Sequence, residues 1–220
     1  MMKRHILVVL PHPDDEAFGV SGTLAMHLDQ GSAEVTYACL TLGEMGRNMG
    51  IPPFANRVTL PSIRKQELEA SCHAIGIRDL RMLGFHDKMI EFEDKAKLDG
   101  SIEALMKELN PSLVITFHPT LSVHPDHNAC GAAVIRTIGR MPADRRPTVH
   151  CMAFANNHEH EIGKPDIINN VRGYLKQKMA SIQAHKSQFQ AAELLGNKKL
   201  SDAEIQARFG TERFWTYRFS

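Results

Sequence analysis

The apolar run Ile6-Leu7-Val8-Val9-Leu10 stops at Pro11-His12-Pro13-Asp14-Asp15-Glu16, and this junction restricts the fold more than any other stretch. The run reads as a buried strand, which puts the ionisable residues at its carboxyl end. In open α/β sheets ligands bind in the crevice outside the strand ends, and a helix beginning near Ala17 closes the unit. Pro11 and Pro13 keep their neighbours extended or in turns, so no helix starts before about Asp14 and His12 is held in a defined orientation. A neutral imidazole and a carboxylate are good zinc ligands, and a second carboxylate left off the metal can take a proton from metal-bound water. The competing reading is an acidic N-cap ahead of a helix.

A second stretch favours the metal. His124-Pro125-Asp126-His127 lies a few residues beyond another apolar run, Leu113 to Phe117, and precedes a helical pattern from about Asn128 to Met141. If the two strands are neighbours in a parallel sheet, their C-terminal loops meet in one crevice. A catalytic zinc needs three protein ligands there, with a fourth position left for water. One motif would supply two ligands and the other the third.

His12-Pro13-Asp14-Asp15-Glu16 with His124-Pro125-Asp126-His127 resembles the LmbE-like, or PIG-L-like, zinc-dependent N-acetylglucosamine deacetylases. The resemblance runs from the first strand to about Ala155. The closing stretch from Glu212 to Phe219 looks like the end of the bacillithiol-pathway members. It implies one zinc per chain bound by His12, Asp15 and His127, with Fe2+ as an alternative ion. It implies that Asp14 is the general base and that His124 protonates or polarises the reacting amide. Arg64 and Asp87 match residues that contact substrate. The implied substrate is an N-acetylglucosaminyl group, and the ending and length point to N-acetylglucosaminyl-malate, whose acid would suit Arg64 or Arg47 as a clamp. Some relatives carry a tyrosine where this chain has Ser122, so no phenolic oxyanion donor is carried over.

Length and composition set wider bounds. At 220 residues with 43% hydrophobic content, the chain suits one domain spanning 1–220 with a sizeable core. A net charge of +1 gives no general attraction to nucleic acid or to a membrane, which favours a small-molecule partner, and the resemblance implies that this is a glycoside. The first apolar run is too short for a secretory segment, and the expected location is the cytoplasm. Cys39, Cys72, Cys130 and Cys151 are far apart and read as reduced, buried thiols.

Strands and helices alternate. Phe18 to Gln30 reads as a helix ending at Gly31, followed by a strand from Val35 to Leu40, so a right-handed βαβ unit is expected. The whole pattern predicts an α/β fold, a single-domain Rossmann-like three-layer architecture with a mostly parallel central sheet. The stretch from Thr41 to Pro61 reads as a long loop over the same crevice, with Glu44 and Arg47 as candidates for substrate contact. Ser62 to Ile75 reads as a helix with Ser62 as N-cap and Gly76 as its stop. Arg64 in its first turn gains nothing from the helix dipole, so a partner must hold it; a surface pair with Glu67 is the plain alternative. A strand at Leu80–Leu83 precedes Asp87, whose alternative role is a turn residue.

Lys97 to Leu109 reads as an amphipathic helix ended by Asn110-Pro111, and Thr148 to Phe154 as a strand. The stretch Asn156 to Glu161 is rich in ligand types, but no second cluster completes a shell, and His158 or His160 could touch substrate instead. Arg172 to Gln190 reads as a basic amphipathic helix packing on the sheet or on a sister subunit in a homo-oligomer, with His185 as a hydrogen-bonded structural residue. Phe214 to Phe219 is expected to add an edge strand or cover the core. Asp126 is expected to bond a histidine ring nitrogen and fix its tautomer. Together with the resemblance, these parts imply metal-assisted amide hydrolysis. The rivals are a metal-dependent phosphohydrolase and a non-catalytic sugar-binding module.

Overall fold

The computed structural model describes residues 4–190, 196 and 198–219. Its strands are β1 (Arg4–Leu10), β2 (Ala33–Cys39), β3 (Asp79–Met82), β4 (Leu113–Phe117), β5 (Thr148–Met152), β6 (Ile167–Asn170) and β7 (Thr211–Thr216). They form one sheet in the order β3-β2-β1-β4-β5-β7-β6. The first five run parallel, and β7 lies antiparallel between β5 and β6. The helices are α1 (Asp15–Gly19), α2 (Ser21–Asp29), α3 (Leu60–Ile75), α4 (Lys95–Leu109), α5 (Pro125–Gly139), α6 (His158–Ile162), α7 (Leu175–Ala184) and α8 (Ala203–Phe209).

The period of two along β1 sorts its side chains into two cores. Ile6, Val8 and Leu10 pack with Leu24 of α2 and Leu68 and Cys72 of α3. Leu7 and Val9 pack with Leu98 and Ile102 of α4 and Val134 and Ile138 of α5. Helices therefore cover both faces, the expected three layers. All four cysteines are free and buried. No helix among the described residues is long and apolar enough to cross a membrane.

Several elements differ from the sequence reading, each for a local reason. The helix expected over Phe18 to Gln30 breaks at Val20 (φ −144°, ψ −5°). The Glu212 carboxylate takes the N–H groups of Gly22 and Thr23 at 2.9 and 2.7 Å and starts a second helix there. Ser62 is not the N-cap of α3. The helix begins at Leu60, because Pro61 fits the first turn, where a missing N–H costs nothing, and Asn56 Oδ1 caps the amides of Val58 and Thr59. Gly76, at φ 97°, ends it as expected.

The basic helix is shorter than its periodicity suggested. A 3-10 turn covers Arg172–Tyr174, and α7 stops at Ala184 so that His185 and Ser187 can turn inward. The strand from Thr148 ends at Met152, since the amides of Phe154 and Ala155 both bond to the Leu121 carbonyl. The terminal aromatic segment is not an edge. Strand β7 is interior, with Phe214 and Trp215 buried, and the edge is β6, whose Asn169 and Asn170 gave no strand signal.

Candidate metal centre and catalytic cleft

Strand β1 has β2 on one side and β4 on the other, so the strand order reverses between β1 and β4. A crevice opens at such a switch point, outside the carboxyl ends of the strands. The loops after β1 and β4 carry the two histidine motifs into it. Gly131 of α5 lets that helix approach the end of β4: a side chain there would run into the Phe117 carbonyl. The result is an open cleft of about 330 Å³ lined by His12, Asp14, Asp15, His124 and His127 together with Met45, Arg47, Arg64, Asp87, Lys88 and Gln188.

The three imidazoles converge. Ring centroids lie 5.3 Å apart for His12 and His127, 5.0 Å for His12 and His124, and 5.1 Å for His124 and His127. Each ring has one nitrogen committed to a supporting group. His12 Nε2 lies 3.1 Å from Asp126 Oδ2 and 3.2 Å from Asp87 Oδ1, which leaves Nδ1 3.4 Å from Asp15 Oδ2. His127 Nδ1 lies 3.2 Å from the Ser122 carbonyl, which leaves Nε2 3.2 Å from Asp15 Oδ1. Such outer partners fix the tautomer of a metal-binding histidine and aim its lone pair. Ligands about 2.0–2.1 Å from a tetrahedral ion stand roughly 3.3 Å from one another, close to both separations from Asp15. The two contacts fall on different oxygens of Asp15, so this one carboxylate stands between the two imidazoles expected to share an ion. The sets whose donor atoms lie within 4.8 Å of one another are His12, His124 and His127, and His12, Asp87 and Asp126; Asp15 is in neither. Among the described residues, every such cluster lies at this cleft.

Charges follow the geometry. Burial opposes ionisation of Asp15, but His127 and His12 outweigh it and hold this carboxyl far below the usual carboxylate range. Burial also opposes a charged His12, and hydrogen bonds to Asp126, Asp15 and Asp87 outweigh that in turn, raising its pKa. Asp14 behaves in the opposite way: burial pushes it up to about 6, although Arg64 pulls it down. Burial, with His12 and His127 beside it, lowers His124.

Arg64 is buried rather than paired on the surface. It donates to Asp14 Oδ2 at 2.6 Å, to the Gly43 carbonyl at 2.8 Å and to the Pro13 carbonyl. Gly43, at φ 62°, is needed there because a side chain would collide with the guanidinium. The alternative partner Glu67 is instead bonded to the amide and hydroxyl of Ser187. Asp87 accepts the Met45 amide at 2.9 Å, and Glu44 accepts the Asp87 amide at 2.9 Å, so Glu44 supports Asp87. Arg47 is exposed at the rim and has no hydrogen bond or ion pair among the described residues. Asp126 bonds His12 as expected and also takes the amides of Lys88 and Ile90, tying the loop after β3 to α5. His158 and His160 sit on α6, outside the cleft, with His158 edge-on to Trp215.

Three features escaped the sequence reading. Phe117 stacks on His127 with centroids 4.0 Å apart, and its aromatic ring at the strand end was the available signal. Gln188 joins the cleft wall through a reciprocal pair of bonds with Asn48, which no local pattern announces. Asp14 takes a positive φ of 107°, unusual for a residue other than glycine.

Comparison with known proteins adds relatives to this geometry. Residues 7–138 match the family model described as PIG-L: GlcNAc-PI de-N-acetylase. A Bacillus cereus protein named probable N-acetyl-alpha-D-glucosaminyl L-malate deacetylase 2 is 50% identical, covering 99% of this chain and all of its own length. The Bacillus subtilis protein of that name is 46% identical with full coverage of both. Among solved structures, an N,N'-diacetylchitobiose deacetylase from Pyrococcus horikoshii superposes with a TM-score of 0.72 at 23% identity, covering 97% of this chain and 84% of that one. A 4-carboxy-2-hydroxymuconate hydratase from Pseudomonas putida superposes with a TM-score of 0.74 at 16% identity, covering 99% and 98%. These two share the fold, and their different reactions show that the fold does not carry the chemistry.

Proposed function

The chain belongs to the PIG-L family of GlcNAc-PI de-N-acetylases, and from that premise we propose that it is a zinc-dependent hydrolase that removes the acetyl group from an N-acetylglucosaminyl substrate, namely N-acetylglucosaminyl-malate in bacillithiol biosynthesis. The observation that carries this reading is the convergence of His12 Nδ1 and His127 Nε2 on the two oxygens of Asp15, in a chain alike end to end with proteins named for that activity. His12, Asp15 and His127 would hold the ion. The same donors accept Fe2+, so zinc is the choice made on ligand type.

When bound, a divalent ion supplies Lewis acidity and lowers the pKa of its water toward about 7. Asp14 accepts the proton of the attacking water. A carboxylate near 6 is ionised at neutral pH and is still basic enough to hold that proton. His124 Nδ1 accepts the Asp126 amide at 3.1 Å, so the ring proton resides on Nε2. Its lowered pKa keeps the ring neutral, and it serves as a hydrogen-bond donor to the oxygen that becomes negative as the acetyl carbon turns tetrahedral. Asp14 is then the group that returns a proton to the leaving amine.

Asp87, supported by Glu44, would bond sugar hydroxyls from the cleft wall with the lone pairs that His12 and the Met45 amide leave free. With Arg64 committed to Asp14 and two carbonyls, the malate carboxylates fall to the exposed Arg47, with Lys88 as the other cation lining the cleft. Four buried free thiols suit a reducing cytoplasm. For a homo-oligomer, the exposed Ile51 and Phe54 after β2 and Phe92 after β3 are apolar side chains that a sister subunit would cover.

The test is a direct assay. Zinc-loaded protein incubated with N-acetylglucosaminyl-malate should release acetate and free amine in equal amounts and should leave phosphate monoesters intact. Phosphate release without amine would overturn the reading in favour of a phosphohydrolase, and tight sugar binding with neither product in favour of a binding module.

A further inference from the structure

We propose that Glu16, backed by His185, is a positioning residue: its carboxylate holds the backbone of Asp14 in the left-handed conformation that turns the Asp14 side chain toward Arg64 and the cleft. The proposal rests on the reading of Asp14 as the catalytic base and assigns work to two residues that the mechanism leaves idle.

Asp14 sits at φ 107°, ψ −25°, a sparsely populated region for a residue with a β-carbon. Such a conformation persists only where its surroundings over-determine it. Arg64 holds the side chain at 2.6 Å, and Glu16 Oε2 accepts the Asp14 amide at 3.0 Å. Glu16 is fully buried, and a buried carboxylate is stable only when its oxygens are satisfied. Tyr37 of β2 donates to Oε2 at 3.3 Å, and Ser71 of α3 donates to Oε1 at 2.5 Å. His185, at the end of α7, lies 2.7 Å from Oε1. Ser71 is in turn 2.7 Å from Ser181 of α7. One strand and two helices therefore clamp one carboxylate, and that carboxylate grips one amide of the catalytic loop. Ordinary core filling does not require this arrangement, because an apolar side chain of the same size would pack between these elements without burying a charge.

The test separates positioning from stability. Glu16→Ala, assayed per bound zinc, should lose kcat by about 100-fold with KM and metal content held, the scale expected when a reacting group is misplaced by about 1 Å. Glu16→Gln should recover most of the loss, because its carbonyl can still accept from the Asp14 amide while its NH2 donates to Ser71. In a crystal structure of Glu16→Ala, Asp14 should leave positive φ. Wild-type kcat per zinc in Glu16→Ala, or an unchanged Asp14 backbone, overturns the proposal. If Glu16→Ala does not fold, His185→Ala decides: a fall in kcat at constant KM supports the proposal, and an unchanged kcat overturns it. Should the wild-type protein release no amine from any N-acetylated glucosaminide, the deacetylase reading fails, while the Asp14 backbone in the variants still decides this inference.

Discussion

Asp14 and Asp15 are adjacent in sequence and chemically opposite in place. Asp15 lies between two imidazoles that keep it ionised, whereas Asp14 is raised to about 6 by burial and is only partly compensated by Arg64. The first suits a ligand and the second a base. Asp14→Ala should therefore keep its metal, measured by elemental analysis, and lose turnover by about 10²–10⁴-fold, the usual worth of a positioned acid–base group. The pH profile carries a second expectation. A base must be ionised to act, so kcat/KM should fall as the pH drops through about 6 and Asp14 takes up its proton. Arg64 lowers that pKa, hence Arg64→Met should raise it and move the acid limb of kcat/KM to higher pH. An acid limb that stays in place in Arg64→Met would show that another group controls it.

At the scale of elements, the chain is held by buried charges at places where the sequence shows only ordinary helices and strands. Glu212 of β7 accepts the Gly22 and Thr23 amides at the start of α2, where helix dipole and unpaired N–H groups favour an anion. Lys178 of α7 bonds the same carboxylate and, at 2.7 Å, the Phe18 carbonyl; Lys178 and Glu212 are both 2% exposed at the side chain. This one pair joins α7, α2 and β7. Removing one partner leaves an uncompensated buried charge, which costs about 3–5 kcal/mol. Lys178→Met should lower the unfolding free energy by that amount in urea denaturation. A loss below about 1 kcal/mol would mean that the pair behaves like an exposed one. The sequence reading took Arg172 to Gln190 only as a basic amphipathic helix and did not single out Lys178, because periodicity assigns a face without saying which charge is pulled beneath it.

For the molecule as a whole, what was legible was whatever is local. The apolar runs of β1 and β4 end in motifs whose residue types are those of a metal site, and their meeting needed only that the strands be neighbours, as they are. What was not legible depends on contacts across the chain: the insertion of β7 inside the sheet, the Gln188–Asn48 bonds and the partner of Arg64. The same topology gives the metal a structural consequence. His12 and Asp15 follow β1, His127 follows β4, and an ion shared by them ties together the two halves of the sheet across the switch point. A ligand that binds only the folded state stabilises it by RT ln(1 + [L]/Kd), about 2.7 kcal/mol at a hundredfold excess over Kd. For a chain of this size that corresponds to a rise in Tm of about 5–10 °C. Metal-free protein titrated with zinc should show that rise in thermal unfolding. His127→Ala should reduce it sharply, because the β4 side then loses the ligand proposed here. His160→Ala, on α6 outside the cleft, should leave it intact. A shift that survives His127→Ala and disappears in His160→Ala would place the stabilising ion in the loop after β5 and overturn the centre proposed at the switch point.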